Sequence, residues 1–315
     1  MKDRFERNIR YLRVSVTDLC NFRCHYCMPQ EGVEQKPCKD ILTLEEIYYI
    51  IHHFVELGVE KVRITGGEPL VRAGIEHFIR SLGHLEAIKD LAMTTNASLL
   101  KDKAKQLKRD GLDRVNISLD TLDAAKFASL TGGNIEDALA GFHAALDAGL
   151  GVKINTVLLK GINDDEVMDL MNLTKEYPID VRFIEAMPIG ETAAYTRDHF
   201  MSLDNIIGKY ELKKEENQDP SSPAQHYRLA GAQGRVGFIQ PLSHHFCGDC
   251  NRLRLTADGM IKPCLHSNQL IDLKTPLRQG KSVLPGIQEA LRIKPERHHL
   301  DENQISTLSM NNIGG

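Results

Sequence analysis

The chain has 315 residues, which at roughly 150 residues per domain allows one large domain with an appendage, or two domains. Its 42% hydrophobic and 26% charged content excludes a disordered or collagen-like chain. Basic residues number 39 against 43 acidic ones, so the net charge is −4 and no protein-wide basic field for gripping nucleic acid exists, although a local cationic pocket is allowed.

From about residue 9 to 188, β-rich runs alternate with helical patterns. The sequence predicts strands at Tyr11–Val16, Lys61–Thr65, Leu91–Thr95, Arg114–Leu119, Gly151–Leu159 and Val181–Ala186. The first helix starts at Thr43, where Thr43 and Glu46 make a capping box, and stops near Gly58. Further helices are expected near Ile75–Leu82, Leu99–Lys108, Ile135–Ala148 and Glu166–Glu176. Six β/α units in series imply a parallel sheet, with the spacing of a TIM-like barrel short of the usual eight strands. A doubly wound open sheet is the rival, but its Gly-x-Gly-x-x-Gly fingerprint is absent. A polar stretch, Lys213–Ala224, reads as a linker or exposed loop. Short strands are expected at Tyr227–Leu229, Val236–Ile239 and Leu253–Thr256, then a hairpin turn at Asp258-Gly259 and a helix near Leu284–Leu291. No run approaches the ~18 apolar residues of a membrane span. Met1 to Arg13 mixes charges of both signs and lacks a signal peptide's apolar core, so a cytoplasmic location is expected.

Six of the seven cysteines fall into two groups. In a reducing compartment such grouping reads as metal ligation before it reads as disulfides, and Cys38 remains as a free thiol. Cys20-x3-Cys24-x2-Cys27 lies just past the first strand, the end where β/α barrels place their chemistry. Three thiolates in one loop can hold three irons of a [4Fe–4S] cluster and leave the fourth open. A zinc knot is the alternative, with His25 as the adjacent fourth ligand. With Tyr26 before its last cysteine, the motif resembles the signature of the radical S-adenosylmethionine enzymes. In them the open iron is chelated by the methionine part of S-adenosylmethionine, and an electron cleaves the sulfonium to a 5′-deoxyadenosyl radical. Gly66-Gly67-Glu68-Pro69, after the second strand, resembles the second motif of that superfamily, whose glycines let backbone approach a ligand.

Cys247-x2-Cys250-x13-Cys264 offers three more thiolates. Taken alone it reads equally well as a structural zinc site, with His266 or His245 as the fourth ligand. The run from Cys247 through Asn251-Arg-Leu-Arg254 to Cys264 resembles the C-terminal segment of the GTP 3′,8-cyclase family of molybdenum cofactor biosynthesis. There a second [4Fe–4S] cluster with an open iron faces the purine of GTP. Arg13-Val-Ser-Val-Thr-Asp18, Asn116-Ile-Ser-Leu-Asp-Thr-Leu-Asp123, Leu130-Thr-Gly-Gly133, Lys160-Gly-Ile-Asn-Asp164 and the terminal Gly314-Gly315 are similar to the same family. Leu19 stands where Arg is common, and Ala97 stands where Gly is usual, which matters if that position needs positive φ.

Strand side chains alternate between faces, so Arg13 and Ser15, Lys61, Arg63 and Thr65, Lys153 and Asn155, and Arg252 and Arg254 form sets pointing one way. Several cations aimed into a sheet's interior call for a polyanionic ligand. The resemblance implies that Arg13, Arg63, Thr94, Lys153, Arg252 and Arg254 contact GTP, with Lys61 a weaker addition. It implies that Tyr26, Gly67, Ser118 and Met187 contact S-adenosylmethionine, and that Gly314 and Gly315 enter the active site and assist radical initiation.

The expected architecture is a partial (β/α)6 TIM-like barrel over residues 1–212. Residues 213–315 form a C-terminal cluster- and substrate-binding extension that closes its open side. The expected activity is conversion of GTP to 3′,8-cyclo-7,8-dihydro-GTP, with S-adenosylmethionine and two [4Fe–4S] clusters as cofactors. Expected partners are a flavodoxin- or ferredoxin-type electron donor and the next enzyme of molybdopterin synthesis, and a homodimer is compatible with the sequence. Neither nucleic acid nor membrane is an expected partner. The alternatives are another radical S-adenosylmethionine enzyme acting on a peptide or RNA, and a non-catalytic zinc-binding module.

Overall fold

The computed structural model describes residues 1–33, 36–217, 219–298 and 306–314. Six strands come first: β1 (Tyr11–Ser15), β2 (Lys61–Thr65), β3 (Asp90–Thr95), β4 (Arg114–Ser118), β5 (Gly151–Leu158) and β6 (Asp180–Glu185). The later strands are β7 (Leu212–Lys214), β8 (Ala224–Leu229), β9 (Arg235–Ile239), β10 (Arg252–Leu255), β11 (Met260–Lys262) and β12 (Ile271–Asp272). They make one sheet in the order β12-β11-β10-β1-β2-β3-β4-β5-β6-β9-β8-β7. Eight neighbours, from β10 through β1–β6 to β9, run parallel, and antiparallel hairpins flank them on each side. The six expected β/α strands are therefore all present. The C-terminal segment adds one parallel strand to each of their edges, and among the described residues no ladder joins β12 to β7.

Helices α1 (Leu44–Glu56), α2 (Ile75–Gly83), α3 (Ala104–Arg109), α4 (Ala124–Thr131), α5 (Ile135–Asp147) and α6 (Val167–Glu176) connect the first six strands. Helices α7 (Ala193–Asp198), α8 (Asp204–Ile207), α9 (Lys274–Arg278), α10 (Leu284–Ile293) and α11 (Met310–Ile313) follow. The capping box forms as expected: Thr43 Oγ1 accepts from the Glu46 amide and Glu46 Oε2 from the Thr43 amide. The core lies between the sheet and its helices. Leu12, Val14, Val62, Ile64, Val115, Ile117, Val181 and Phe183 point outward from the strands and join the Ile47, Ile50, Ile51 and Phe54 stripe of α1 in one buried cluster. Truncating a side chain such as Phe54 to Ala would cost about 3–5 kcal/mol. The opposite strand face is polar, and it holds the site.

Three local expectations are corrected. The helix expected from Leu99 begins only at Ala104. Ala97 sits at φ 64° and Asn96 Oδ1 accepts from the Ser98 amide, so the chain turns before it can coil. Helix α4 was not anticipated, although Asp123 caps it by accepting from the Lys126 amide and Gly132 ends it at φ 69°. The stretch Lys213–Ala224 is no free linker. It opens within β7, which pairs with β8, and Asp219 then binds Lys61 at 2.5 Å.

Candidate active site

The first cysteine loop leaves the C-terminal end of β1 and is held by its neighbours. The Arg23 amide donates to Thr131 O and the His25 amide to Leu130 O, while a Cβ at Gly133 would lie 2.4 Å from the Phe22 ring. The Leu130–Gly133 motif is thus a cradle for the cysteine loop. Gly66 and Gly67 serve the same loop. The Gly67 amide donates to Thr17 O at 2.8 Å and the Glu68 amide to Leu19 O at 2.9 Å. A Cβ at Gly66 would lie 2.5 Å from Thr17 O, and one at Gly67 would lie 2.3 Å from Leu19 O. Close approach of the chain to itself, rather than to a ligand, already demands both glycines.

Glu68 is buried and ties two loops together, accepting from the Leu70 amide (3.0 Å), Thr95 Oγ1 (2.8 Å) and the Asn96 amide (2.7 Å). Burial pushes its carboxyl up to about 7 against the pull of those bonds. Tyr26 Oη donates to Asp120 Oδ2 at 2.6 Å, and burial raises the Asp120 carboxyl to about 6. Asn163, from the Lys160–Asp164 motif, donates to Asp120 O and Val157 O and so holds this pair from behind.

Cys20, Cys24 and Cys27 fit a cluster by their chemistry. Burial first, then Glu68 for Cys20 and the neighbouring thiols and Asp120 for the other two, pushes the Cys20 thiol up to about 11, Cys27 up to about 12 and Cys24 well above its ordinary range. Such a trio becomes ligating only when a cationic iron centre deprotonates it. Ser118 stands at the end of β4, and Met187 lies two residues beyond β6, both partly buried on this same side of the sheet's strands.

The second group sits at the other end of the strands. Cys247 and Cys250 precede β10, and the β10–β11 hairpin, turning at Asp258-Gly259, carries Cys264 back beside them. Because β10 is parallel to β1, this group lies at the N-terminal ends of strands whose C-terminal ends bear the first. Five strand residues separate the two levels by on the order of 15 Å. Burial alone would raise Cys250, but Lys294 and Arg252 hold its thiol down to about 7. His245, Cys247 and His298 bring ligand atoms within 4.8 Å of one another, and His245 Nδ1 lies 2.8 Å from His298 Nε2. His298 Nε2 is also 2.8 Å from Pro241 O, and His266 packs its ring against His298 at 4.8 Å. The His245 and His298 rings thus share a hydrogen-bond network of their own beside the thiols. Cys38 is a free, exposed thiol.

Between the two ends the inner face of the sheet is lined with cations. In register, Arg13 stands between Arg63 and Arg254, and Tyr11 between Lys61 and Arg252. The Arg63 guanidinium lies 5.3 Å from the Tyr11 ring centroid, and that of Arg252 lies 5.5 Å from the Phe246 ring. Burial and the other arginines hold Arg63 down to about 9, Arg254 to about 10 and Arg13 well below its ordinary value. Part of the set is already neutralised. Lys61 pairs with Asp219 and Lys153 with Asp180 at 2.9 Å, whereas Arg252 donates to Ser221 O and keeps its net charge. Sequence reasoning missed Arg182 and Arg114. Arg182 is 6% exposed, donates to Asn116 Oδ1 at 2.7 Å and is held down to about 9. Arg114 grips Asp90 with two bonds of 2.8 Å. Alternation in Arg114-Val-Asn-Ile-Ser118 and Asp180-Val-Arg-Phe183 was the available signal. Among the described residues, Arg63 Nε, Arg182 Nε, Thr94 Oγ1, Asn116 Nδ2 and Asn155 Oδ1 are buried with no hydrogen-bond partner, as suits walls built for a polar anionic ligand.

The C-terminal tail enters this space. Gly190 donates its amide to Ser306 O at 2.8 Å, and Asn311 Nδ2 donates to Asp18 O at 3.2 Å. Arg254 Nη1 then donates to Gly314 O at 2.7 Å, and Gly314 adopts φ 70°. A Cβ there would lie 2.0 Å from Thr65 Oγ1. Gly315 and His299 fall outside the described residues.

Residues 14–174 match the radical SAM superfamily, and residues 179–300 match the Molybdenum Cofactor Synthesis C family. With its parallel sheet and its Cys20–Cys27 loop, the chain belongs to the radical SAM superfamily. The enzyme from Streptococcus suis titled SuiB bound to S-adenosylmethionine superposes with a TM-score of 0.60 at 17% identity, covering 89% of this chain and 68% of that one, a likeness of fold. Among curated proteins, GTP 3′,8-cyclase of Alkaliphilus oremlandii is 49% identical over the whole of both chains. That of Peptoclostridium acidaminophilum is 47% identical over 99% of this chain and 98% of its own. Within the superfamily the chain is a member of the GTP 3′,8-cyclase family, whose cofactors are S-adenosylmethionine and [4Fe–4S] clusters.

Proposed function

We infer that the chain converts GTP to 3′,8-cyclo-7,8-dihydro-GTP, the first step of molybdenum cofactor biosynthesis. The observation that carries this reading is a buried, cation-lined interior bounded at opposite strand ends by two thiol trios. Cys20, Cys24 and Cys27 would hold one cluster, and Cys247, Cys250 and Cys264 the other. With S-adenosylmethionine they supply one-electron hydrogen abstraction.

The chain's own part is to bind, orient and exclude water. Arg13, Arg63, Arg252 and Arg254, joined by Arg182, offer the charge that a triphosphate neutralises, Lys153 offers N–H donors beyond its bond to Asp180, and Thr94 offers an unpartnered hydroxyl. Tyr26, Gly67, Ser118 and Met187 ring the first thiol trio as the S-adenosylmethionine contacts. Since the Tyr26 hydroxyl is already committed to Asp120, its contact would be through its backbone. Gly314 brings side-chain-free backbone up to Arg254 and Thr65, and by family likeness Gly315 shares its part in radical initiation. Residues 1–212 would form the radical S-adenosylmethionine barrel and 213–315 the second-cluster and substrate-binding region with its Gly-Gly tail, the GTP contacts being shared between them. A cytoplasmic setting, a flavodoxin- or ferredoxin-type donor and hand-off of product to the next enzyme accompany this reading.

The decisive experiment is anaerobic reconstitution followed by reaction with S-adenosylmethionine, dithionite and GTP deuterated at C3′. The product is an isomer of GTP, so chromatography separates it and mass analysis locates the label. We expect deuterium in 5′-deoxyadenosine. Deuterium retained on the nucleotide, with no new nucleotide formed, would overturn the reading.

A further inference from the structure

Lys294 is 2% exposed, one residue past α10. Its ammonium has three N–H bonds and three neighbours. Nζ lies 2.8 Å from Arg252 O, 2.8 Å from Pro263 O and 3.7 Å from Cys250 Sγ. The two carbonyls belong to residues beside Cys250 and Cys264, so they aim the third N–H at the sulfur. The segment that follows is pinned from outside. Arg7, buried and paired with Asp3 at 2.7 Å, donates to Pro295 O, Glu296 O and Cys247 O. The backbone that follows Lys294 is therefore anchored to the start of the chain.

A buried ammonium is costly unless an anion compensates it. Two carbonyls satisfy its hydrogen bonds but carry no net charge, and no carboxylate among the described residues forms an ion pair with it. The group placed to compensate it is the Cys250 sulfur, which is anionic when it ligates iron. The first cysteine group takes neutral donors instead: Cys20 Sγ accepts from the Phe22 amide at 3.4 Å and from Asn96 Nδ2 at 3.9 Å, so the ammonium donor is particular to the second group. Hydrogen bonds to the sulfurs and local charge are the levers by which a protein sets the potential of an iron–sulfur centre.

We propose that Lys294 is a positioning residue that raises the reduction potential of the second cluster through an N–H···S bond to Cys250. The inference rests on the two-cluster reading above. By drawing electron density from the cluster, the ammonium would also sharpen the open iron as an acceptor for the purine.

The test is a potentiometric titration, followed by electron paramagnetic resonance, of the full chain carrying both clusters. Lys294→Met should make reduction of the second cluster about tenfold less favourable, about 59 mV for one electron. The first cluster should keep its potential. Lys294→Arg, which retains the charge, should recover most of the loss. An unchanged second potential in Lys294→Met would overturn the proposal. If that variant fails to load its second cluster, the wild-type protein labelled with 15N-lysine gives the answer. Its reduced second-cluster signal should show coupling to a lysine nitrogen and to an exchangeable deuteron, and absence of both would overturn the proposal equally. Wild-type protein that holds iron for only one four-iron cluster would instead sink the two-cluster reading itself.

Discussion

The guanidinium of Arg254 donates to the carbonyl oxygen of Gly314 at 2.7 Å, joining the inner-face cations to the C-terminal tail. Gly314 also sits at φ 70° with no room for a Cβ beside Thr65. Gly314→Ala, or deletion of Gly314 and Gly315, should therefore dislodge the tail and nearly stop cyclisation. Folding, both clusters and GTP binding should persist, since the strands that carry Arg254 and Thr65 are held by their own ladders. Turnover assays beside calorimetric GTP titration check this, and full-rate turnover by the truncated enzyme would return the tail to the status of a loose end.

The cations should act on one ligand only. Removing Arg63, Arg182 or Arg252 with an Ala substitution deletes a charge-assisted contact worth about 1.5–3 kcal/mol, so GTP affinity should fall about tenfold or more. S-adenosylmethionine affinity should hardly move. Equal losses for both ligands in equilibrium titrations would assign these arginines to structure.

The two thiol groups should divide the labour. Cys20, Cys24 or Cys27→Ser should abolish reductive cleavage of S-adenosylmethionine. Cys247, Cys250 or Cys264→Ser should leave some cleavage while cyclisation stops. The yield of 5′-deoxyadenosine against that of cyclised nucleotide reports the split, and equal cleavage by both sets of variants would contradict it.

Glu68 should leave a mark on the pH dependence of stability. Its carboxyl lies near 7 in the fold against an ordinary 4.5, so the folded state holds the proton more tightly than the unfolded chain. Its stabilising contribution is full below about pH 4.5 and is lost as pH rises towards 7, at roughly 1.4 kcal/mol per unit. Glu68→Gln should flatten that part of the slope. Urea unfolding at pH 5 and pH 8 measures it, and identical slopes in the two proteins would refute the assignment.

Ala97 and Gly141 form a coupled pair at the turn after β3. A Cβ at Gly141 would lie 2.0 Å from Ala97 O. Gly141→Ala should cost about 1–3 kcal/mol in thermal or urea unfolding. It should also disturb the Asn96 amide bond that Glu68 accepts, and with it the loop that faces Cys20.

Much of this was legible because strand periodicity is simple. In Lys61-Val-Arg-Ile-Thr65 the apolar pair is fully buried against the helices and the cations turn inward, as alternation requires. The tail glycine was legible from family likeness, and its geometry from nothing in the sequence. Arg182 lies inside the expected strand Val181–Ala186 but is the single cation on it, and a lone charge on a strand carries no pattern until Asn116 is seen opposite. Lys294 left no pattern at all. Its partners are backbone carbonyls 42 and 31 residues away, and any residue type presents such a carbonyl. The reason for Gly66 and Gly67 was likewise hidden, since their neighbour is a loop brought in from β1.

The placement of β9 and β10 has a consequence for how the protein comes into being. Strands β1 and β6 lie side by side with β10 and β9, which are synthesised far later in the chain. Until about residue 255 has left the ribosome, β1 presents a bare row of amides and carbonyls on one edge, and until Ile239 has, β6 does the same on the other. Such edges recruit other chains. Expression of the first 212 residues alone should therefore give aggregates, and slow, strongly non-local folding should make yield of the intact chain sensitive to temperature during synthesis.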